Sequence, residues 1–187
     1  MGLIESLTTE NRKRLEALAT KQRSVLGFKA YNPLPAKVLA KHFNAKIFTP
    51  ETMPNTEPEQ VKLLCSRDDW SAGVICKNPL WIVHNSRHTL PRQESDLMHE
   101  FAHVILKHKM IRRDPKTGLF LRRQQDEDEA VYLGGCLQIP RRGLLWATQK
   151  KMSLSQIALH FNASEEMVRF RSNVNGILID KRKVRLT

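Results

Sequence analysis

The sequence predicts an α+β protein, in which amphipathic helices outweigh a small antiparallel sheet. Three observations predict it. Apolar residues recur at helical spacing near the N-terminus, around residue 100 and again over 126–137. Short β-like runs occupy 61–84, between turn signals. From Pro140 onward the pattern is helix and punctuation alone. With 187 residues, 41% hydrophobic content and only eight Gly and nine Pro, the chain suits one folded unit with a small appendage, 1–150 and 151–187.

The elements follow in order. Residues 3–29 read as an amphipathic helix, with Leu3, Leu7, Leu15, Leu18 and Val25 separated by charge. A short helix over 36–43 follows Asn32-Pro33-Leu34-Pro35, where the prolines stop one element and start the next. The turn-rich stretch 49–59 reads as an exposed loop. Three β-like runs, 61–65, 73–76 and 80–84, are separated by Arg67-Asp68-Asp69 and Lys77-Asn78-Pro79, which predicts an antiparallel meander. A helix begins between Pro91 and Asp96, with Ser95 or Asp96 as its cap, and runs to about Met110. Residues 114–118 form a turn, and a helix over 126–137 ends before Pro140. Helices over 142–150, 154–161 and 165–174 complete the chain, the last closed by Gly176.

Composition narrows the function. Net charge is +12, from 31 Lys and Arg against 19 acids, which favours an acidic partner, either nucleic acid or an anionic protein surface. Residues 141–187 hold ten Lys or Arg against three acids, and 107–123 hold seven against one, so the field is concentrated in two places. Cys65, Cys76 and Cys136 sit in apolar stretches with no C-x-x-C pairing, so they read as free thiols in a reducing cytoplasm and not as metal ligands. No apolar run nears a membrane span and the N-terminus lacks a signal-peptide core, so a cytoplasmic location without a membrane is expected. Residues 1–6 fit the N-myristoylation pattern only in its loosest form.

His99-Glu100-Phe101-Ala102-His103 carries the chemistry. It reads H-E-x-x-H inside an apolar helical pattern. Helix positions four apart lie on one face with Cβ atoms about 5–6 Å apart, so two imidazoles reach one zinc ion. Glu100 is rotated about 100° from His99 on the helix, which suits a general base flanking the metal and not a further ligand. A third ligand is needed, because a catalytic zinc keeps three protein ligands and one open position. The H-x-x-G-x-x-H extension is excluded by Leu106 and Lys109, while His108 is one residue off and is expected to face away from His103. The acids at 126–129 remain. From Glu127, residues Ala130, Val131, Gly134 and Leu137 fall on one helical stripe, so Glu127 points into the apolar face, where a carboxylate is costly without a cation. Asp128 is expected to point outward, Glu129 to lie at the margin and Asp126 to cap the helix. Glu127 also suits the first turn as an acid favoured by the helix dipole, and Glu129 is the alternative ligand.

Glu127-Asp128-Glu129-Ala130 and the following Leu133-Gly134-Gly135-Cys136-Leu137-Gln138-Ile139-Pro140 resemble the E-x-E-A-N-x-F-A-A-x-L-L-M-P segment of the ImmA/IrrE metallopeptidase family. The resemblance extends to Ile82-Val83-His84-Asn85, Pro91-Arg92, Leu97-Met98-His99-Glu100 and the early helix from Pro33, about residues 30–175 in all. Val131 replaces the usual Asn, Gly134-Gly135 replace Ala-Ala, and Gln138-Ile139 replace Leu-Met. The resemblance implies a zincin-like fold over 1–150, with zinc on His99, His103 and Glu127 and with Glu100 as catalytic base. It also implies a basic, helix-turn-helix-like tail over 151–187. The implied activity is endopeptidase cleavage of a helix-turn-helix transcriptional repressor, as in phage, mobile-element or stress-response induction. The alternative is a toxin-like or regulatory interaction protein of the same fold, with another target or with nucleic acid as partner. Arg92, His84 and Tyr132 are the candidates for stabilising the oxyanion.

Overall fold

The computed structural model describes residues 7–179, apart from 55, 68 and 114–118; the expected helix start at residues 3–6, the N-terminal lipidation pattern, the 114–118 turn and the basic residues 180–187 lie outside them. Helix α1 spans Thr9–Val25, with the Thr8 side chain accepting from the Asn11 amide at 3.2 Å. It stops short of the expected residue 29 because Gly27 takes a left-handed conformation, φ +78°. Helix α2, Ala36–His42, follows Pro35 as expected, and Glu94 caps it by accepting from the Ala36 amide at 2.8 Å.

The sheet differs from the expected meander. Residues 61–65 belong to helix α3, Pro58–Cys65, and not to a strand. Their apolar positions, Val61, Leu64 and Cys65, have helical spacing, and Pro58 sits in the first turn, where its missing N–H costs nothing. The third strand is instead β1, Lys46–Phe48, before β2, Ala72–Lys77, and β3, Leu80–His84. The order is β1-β3-β2, with β1 parallel and β2 antiparallel to β3, so the sheet is mixed. A three-residue strand gives too little alternation to read, and its partner lies some 35 residues away, beyond any hairpin signal.

Helix α4, Leu90–Leu106, carries the H-E-x-x-H residues. It starts before the expected caps, because Pro91 occupies its first turn. Ser95 inside it donates instead to the Pro91 carbonyl at 3.0 Å and to Gln138 Oε1 at 2.9 Å. It also ends four residues early, at Lys107, whose backbone is left-handed. A small hairpin follows, β4 (Arg112–Arg113) with β5 (Phe120–Leu121). Helices α5 (Gln124–Gln138), α6 (Arg141–Gln149), α7 (Leu154–Phe161) and α8 (Glu165–Asn175) complete the described chain, close to the expected positions. This is an α+β fold.

The main core lies where α1 and α4 pack on α5 and where α4 also packs on β2 and β3, around Leu15, Ile82, Met98, Phe101 and Leu133. A second core joins Ile139, Leu144, Ile157, Phe161 and Val168, so α6, α7 and α8 share one interior. Two buried arginines close the end of α5. Arg23 of α1 donates to the carbonyls of Leu137, Lys29 and Asn32, and Arg171 of α8 donates to the Ile139 carbonyl at 2.9 Å and pairs with Glu16. Cations there satisfy carbonyls that have no partner within the helix and lie at the negative end of its dipole.

Candidate metal centre and cleft

His99, Glu100 and His103 come from one turn of α4, and Glu127 from the start of α5, which packs across it. The crossing is close because residue 134 is glycine. A Cβ there would lie 3.1 Å from both the Cα and the N of His99 and 3.2 Å from the Met98 carbonyl carbon. Those are backbone atoms of α4, which would have to shift by a few tenths of an ångström to admit it, so Gly134 sets the depth at which α5 meets the motif.

Three atoms converge. His99 Nε2 lies 3.0 Å from Glu127 Oε2 and 2.9 Å from His103 Nε2, and His103 Nε2 lies 3.4 Å from Glu127 Oε2. Ligands at about 2.0 Å from a tetrahedral zinc are about 3.3 Å apart, so this triangle fits a small divalent cation with little adjustment. His99, Glu100 and His103 also offer ligand atoms within 4.8 Å of one another. Glu127 is the better third member. Glu100 Oε1 stands off at 3.8 Å from His99 Nε2, and its Oε2 accepts from Arg122 at 3.2 Å.

Burial lowers the His99 pKa, but the hydrogen bond to Glu127 and the two neighbouring carboxylates raise it overall. Burial dominates at His103 and lowers it, assisted by the charge on His99. Burial pushes Glu127 up, yet the two imidazoles reverse this and hold its carboxyl well below the usual range. These directions favour an ionised Glu127 and a neutral His103, each with a lone pair to donate, whereas His99 must give up its proton to bind an ion.

The cluster opens into a cleft of about 560 Å³. Trp70, Leu119, Val131 and Met167 give it apolar walls, and Arg67, Asp69 and Asp96 give it charge. Met167 comes from α8, so the C-terminal helices form part of this wall.

A family model described as the IrrE N-terminal-like domain of a peptidase family matches residues 55–173. The chain belongs to this family. Peptidases of the IrrE N-terminal-like family are metal-dependent, in keeping with the His-Glu-His group on α4. No curated protein and no solved structure matches the chain. No helix among the described residues is long and apolar enough to cross a membrane.

His108 does not face away from His103: its Nδ1 lies 2.8 Å from His103 Nδ1, because the left-handed turn at Lys107 swings it back. Asp128 is buried, not outward, and accepts from Gln124 at 2.9 Å. Asp126 does not cap α5. The helix starts at Gln124, and Asp126 pairs with Arg123 at 3.0 Å. Cys136 is buried, as expected, while Cys65 and Cys76 are only partly so, and all three are free thiols. None of Arg92, His84 and Tyr132 lines the cleft, and Tyr132 is buried with the Arg171 guanidinium 5.2 Å from its ring centre. The cation beside the motif is Arg122, which sequence reasoning missed. Nothing distinguishes it from Arg112, Arg113 and Arg123 in the same basic run.

Proposed function

We propose that the chain is a zinc-dependent endopeptidase that cleaves a helix-turn-helix transcriptional repressor. The observation that carries the peptidase chemistry is the convergence of His99 Nε2, His103 Nε2 and Glu127 Oε2, with Glu100 beside them and not among them. His99, His103 and Glu127 would hold the ion. A bound zinc supplies Lewis acidity, which polarises a carbonyl and acidifies water.

Glu100 has one oxygen committed and one available. Arg122 fixes Oε2, and Oε1 faces the ligand cluster. Oε1 therefore accepts the proton of the attacking water and returns it to the departing amine. At 3% side-chain exposure Glu100 is shielded from bulk water, so the proton passes between reactants and not to solvent. The cleft beside it offers the apolar walls of Trp70, Leu119, Val131 and Met167 to substrate side chains.

The substrate class rests on the resemblance of the H-E-x-x-H and E-x-E-A segments to the ImmA/IrrE family, and a net charge of +12 suits an acidic protein surface. A cytoplasmic location is consistent with such a target. The test pairs Glu100→Gln with the native protein against a purified helix-turn-helix repressor. The variant is expected to keep stoichiometric zinc and to lose cleavage by about 10²–10⁴-fold. Undiminished cleavage would remove Glu100 from the mechanism. An intact repressor after incubation with the zinc-loaded native protein would remove that substrate class.

A further inference from the structure

His103 turns Nε2 toward Glu127 and His99, which leaves Nδ1 turned away from them. That atom lies 2.8 Å from Nδ1 of His108. The contact follows from how α4 ends. Lys107 takes φ +56°, and the His108 amide donates back to the His103 carbonyl at 3.1 Å, so residue 108 folds under residue 103. Both imidazoles are shielded, at 1% and 8% side-chain exposure. On the far side of the His108 ring, Nε2 faces Glu129 Oε2 at 3.6 Å and Asp126 Oδ1 at 4.0 Å. Glu129 is itself tied to Arg14 of α1 at 3.0 Å.

Two ring nitrogens at this separation share one proton, and the surroundings decide which of them carries it. Carboxylates beside His108 Nε2 favour a proton there, which makes His108 Nδ1 an acceptor. His103 Nδ1 must then be the donor, and the lone pair of His103 is left on Nε2, the atom in the metal cluster. We infer that His108 is a positioning residue that fixes the tautomer and ring orientation of His103 for the metal. His108 thus lies between His103 of α4 and Glu129 of α5, and Arg14 ties Glu129 to α1. Partners behind a metal-bound histidine typically change metal affinity by about 10–100-fold when removed.

This inference rests on the ligand assignment above, and its test separates the two. Zinc affinity is measured by competition with a chromogenic chelator for the native protein, His108→Phe and His108→Gln, beside melts of each metal-free form. Phe keeps a ring but offers no acceptor; Gln restores a carbonyl oxygen. His108→Phe is expected to bind zinc about 10–100-fold more weakly, and His108→Gln to recover part of that loss. Nitrogen-15 NMR of the zinc-loaded native protein is expected to show His103 protonated at Nδ1, a readout independent of how any variant folds. Native affinity in His108→Phe, equal loss in both variants, or a His103 proton at Nε2 would overturn the inference. A native protein that binds no zinc would overturn the ligand assignment and this inference with it.

Discussion

Glu100 is a buried carboxylate held by a buried guanidinium, and that pair shows how far single residues could be read. The motif placed His99, Glu100 and His103 on one helix, and the apolar stripe singled out Glu127 from its neighbours; the structure brings all four together. Arg122 and His108 were illegible for one reason. Each acquires its role from backbone that leaves a regular element, the strand end at Leu121 and the left-handed turn at Lys107, and no periodicity reports where a side chain goes after such a break. The Arg122–Glu100 pair, with 4% and 3% side-chain exposure, also makes a prediction. Removing one partner of a buried pair leaves an uncompensated charge, which typically costs about 3–5 kcal/mol. Arg122→Leu should lose stability of that order in denaturant unfolding of the metal-free protein. Arg122→Leu combined with Glu100→Gln should recover most of it, because the stranded charge is gone. Simple additivity of the two changes would mean that the pair contributes no coupling.

At the scale of elements, the long periodic segments were legible, as were the short ones bounded by proline, cap or turn signals, whereas α3 and β1 were not. Helices of eleven or more residues, α1, α4, α5 and α8, appear where the apolar spacing put them, with ends displaced by Gly27, Pro91 and Lys107. The eight-residue α3 and the three-residue β1 were misread or unseen, since so few positions fit helix and strand patterns alike. The glycines of α5 look like helix-weakening departures in sequence, but the packing gives one of them a purpose. Gly134→Ala would gain up to about 1 kcal/mol in helix propensity, yet overpacking against backbone typically costs about 1–3 kcal/mol. The added methyl would press on His99 N and Cα, both at 3.1 Å, and α5 must withdraw from α4 just where Glu127 faces His99. Gly134→Ala is therefore expected to bind zinc more weakly than the native protein. Gly135→Ala is the control, since its methyl would press on side-chain atoms of Arg171, Met167 and Phe170 instead of on α4. Equal zinc affinity in the native protein and Gly134→Ala would mean that the interhelical distance does not govern the site.

Across the whole molecule, the two ends of the described chain meet at the C-terminus of α5. Arg23 reaches it from α1 and Arg171 from α8, and Arg171 also pairs with Glu16, so α1 and α8 are joined to each other as well as to α5. In sequence an arginine reads as surface, and a basic stretch after a turn reads as a separable tail. The fully buried Arg171 is the kind of residue that composition cannot reveal. Residues 152–187 also supply Ile157, Phe161 and Val168, which cover Ile139, Leu144 and Ala147, and Met167, which walls the cleft. A protein ending at residue 151 would expose that apolar surface, leave the Ile139 carbonyl without its guanidinium and leave Glu16 unpaired. The α5 helix would then lose its C-terminal anchor while still carrying Glu127 at its other end. Truncation after residue 151 is therefore expected to abolish the cooperative melt followed by circular dichroism and to lose zinc at the same time. A truncated protein that melts cooperatively and retains zinc would show that α1 to α6 hold the centre without α8. The C-terminal helices would then serve the cleft alone, and the loss would fall on KM for the protein substrate with kcat little changed.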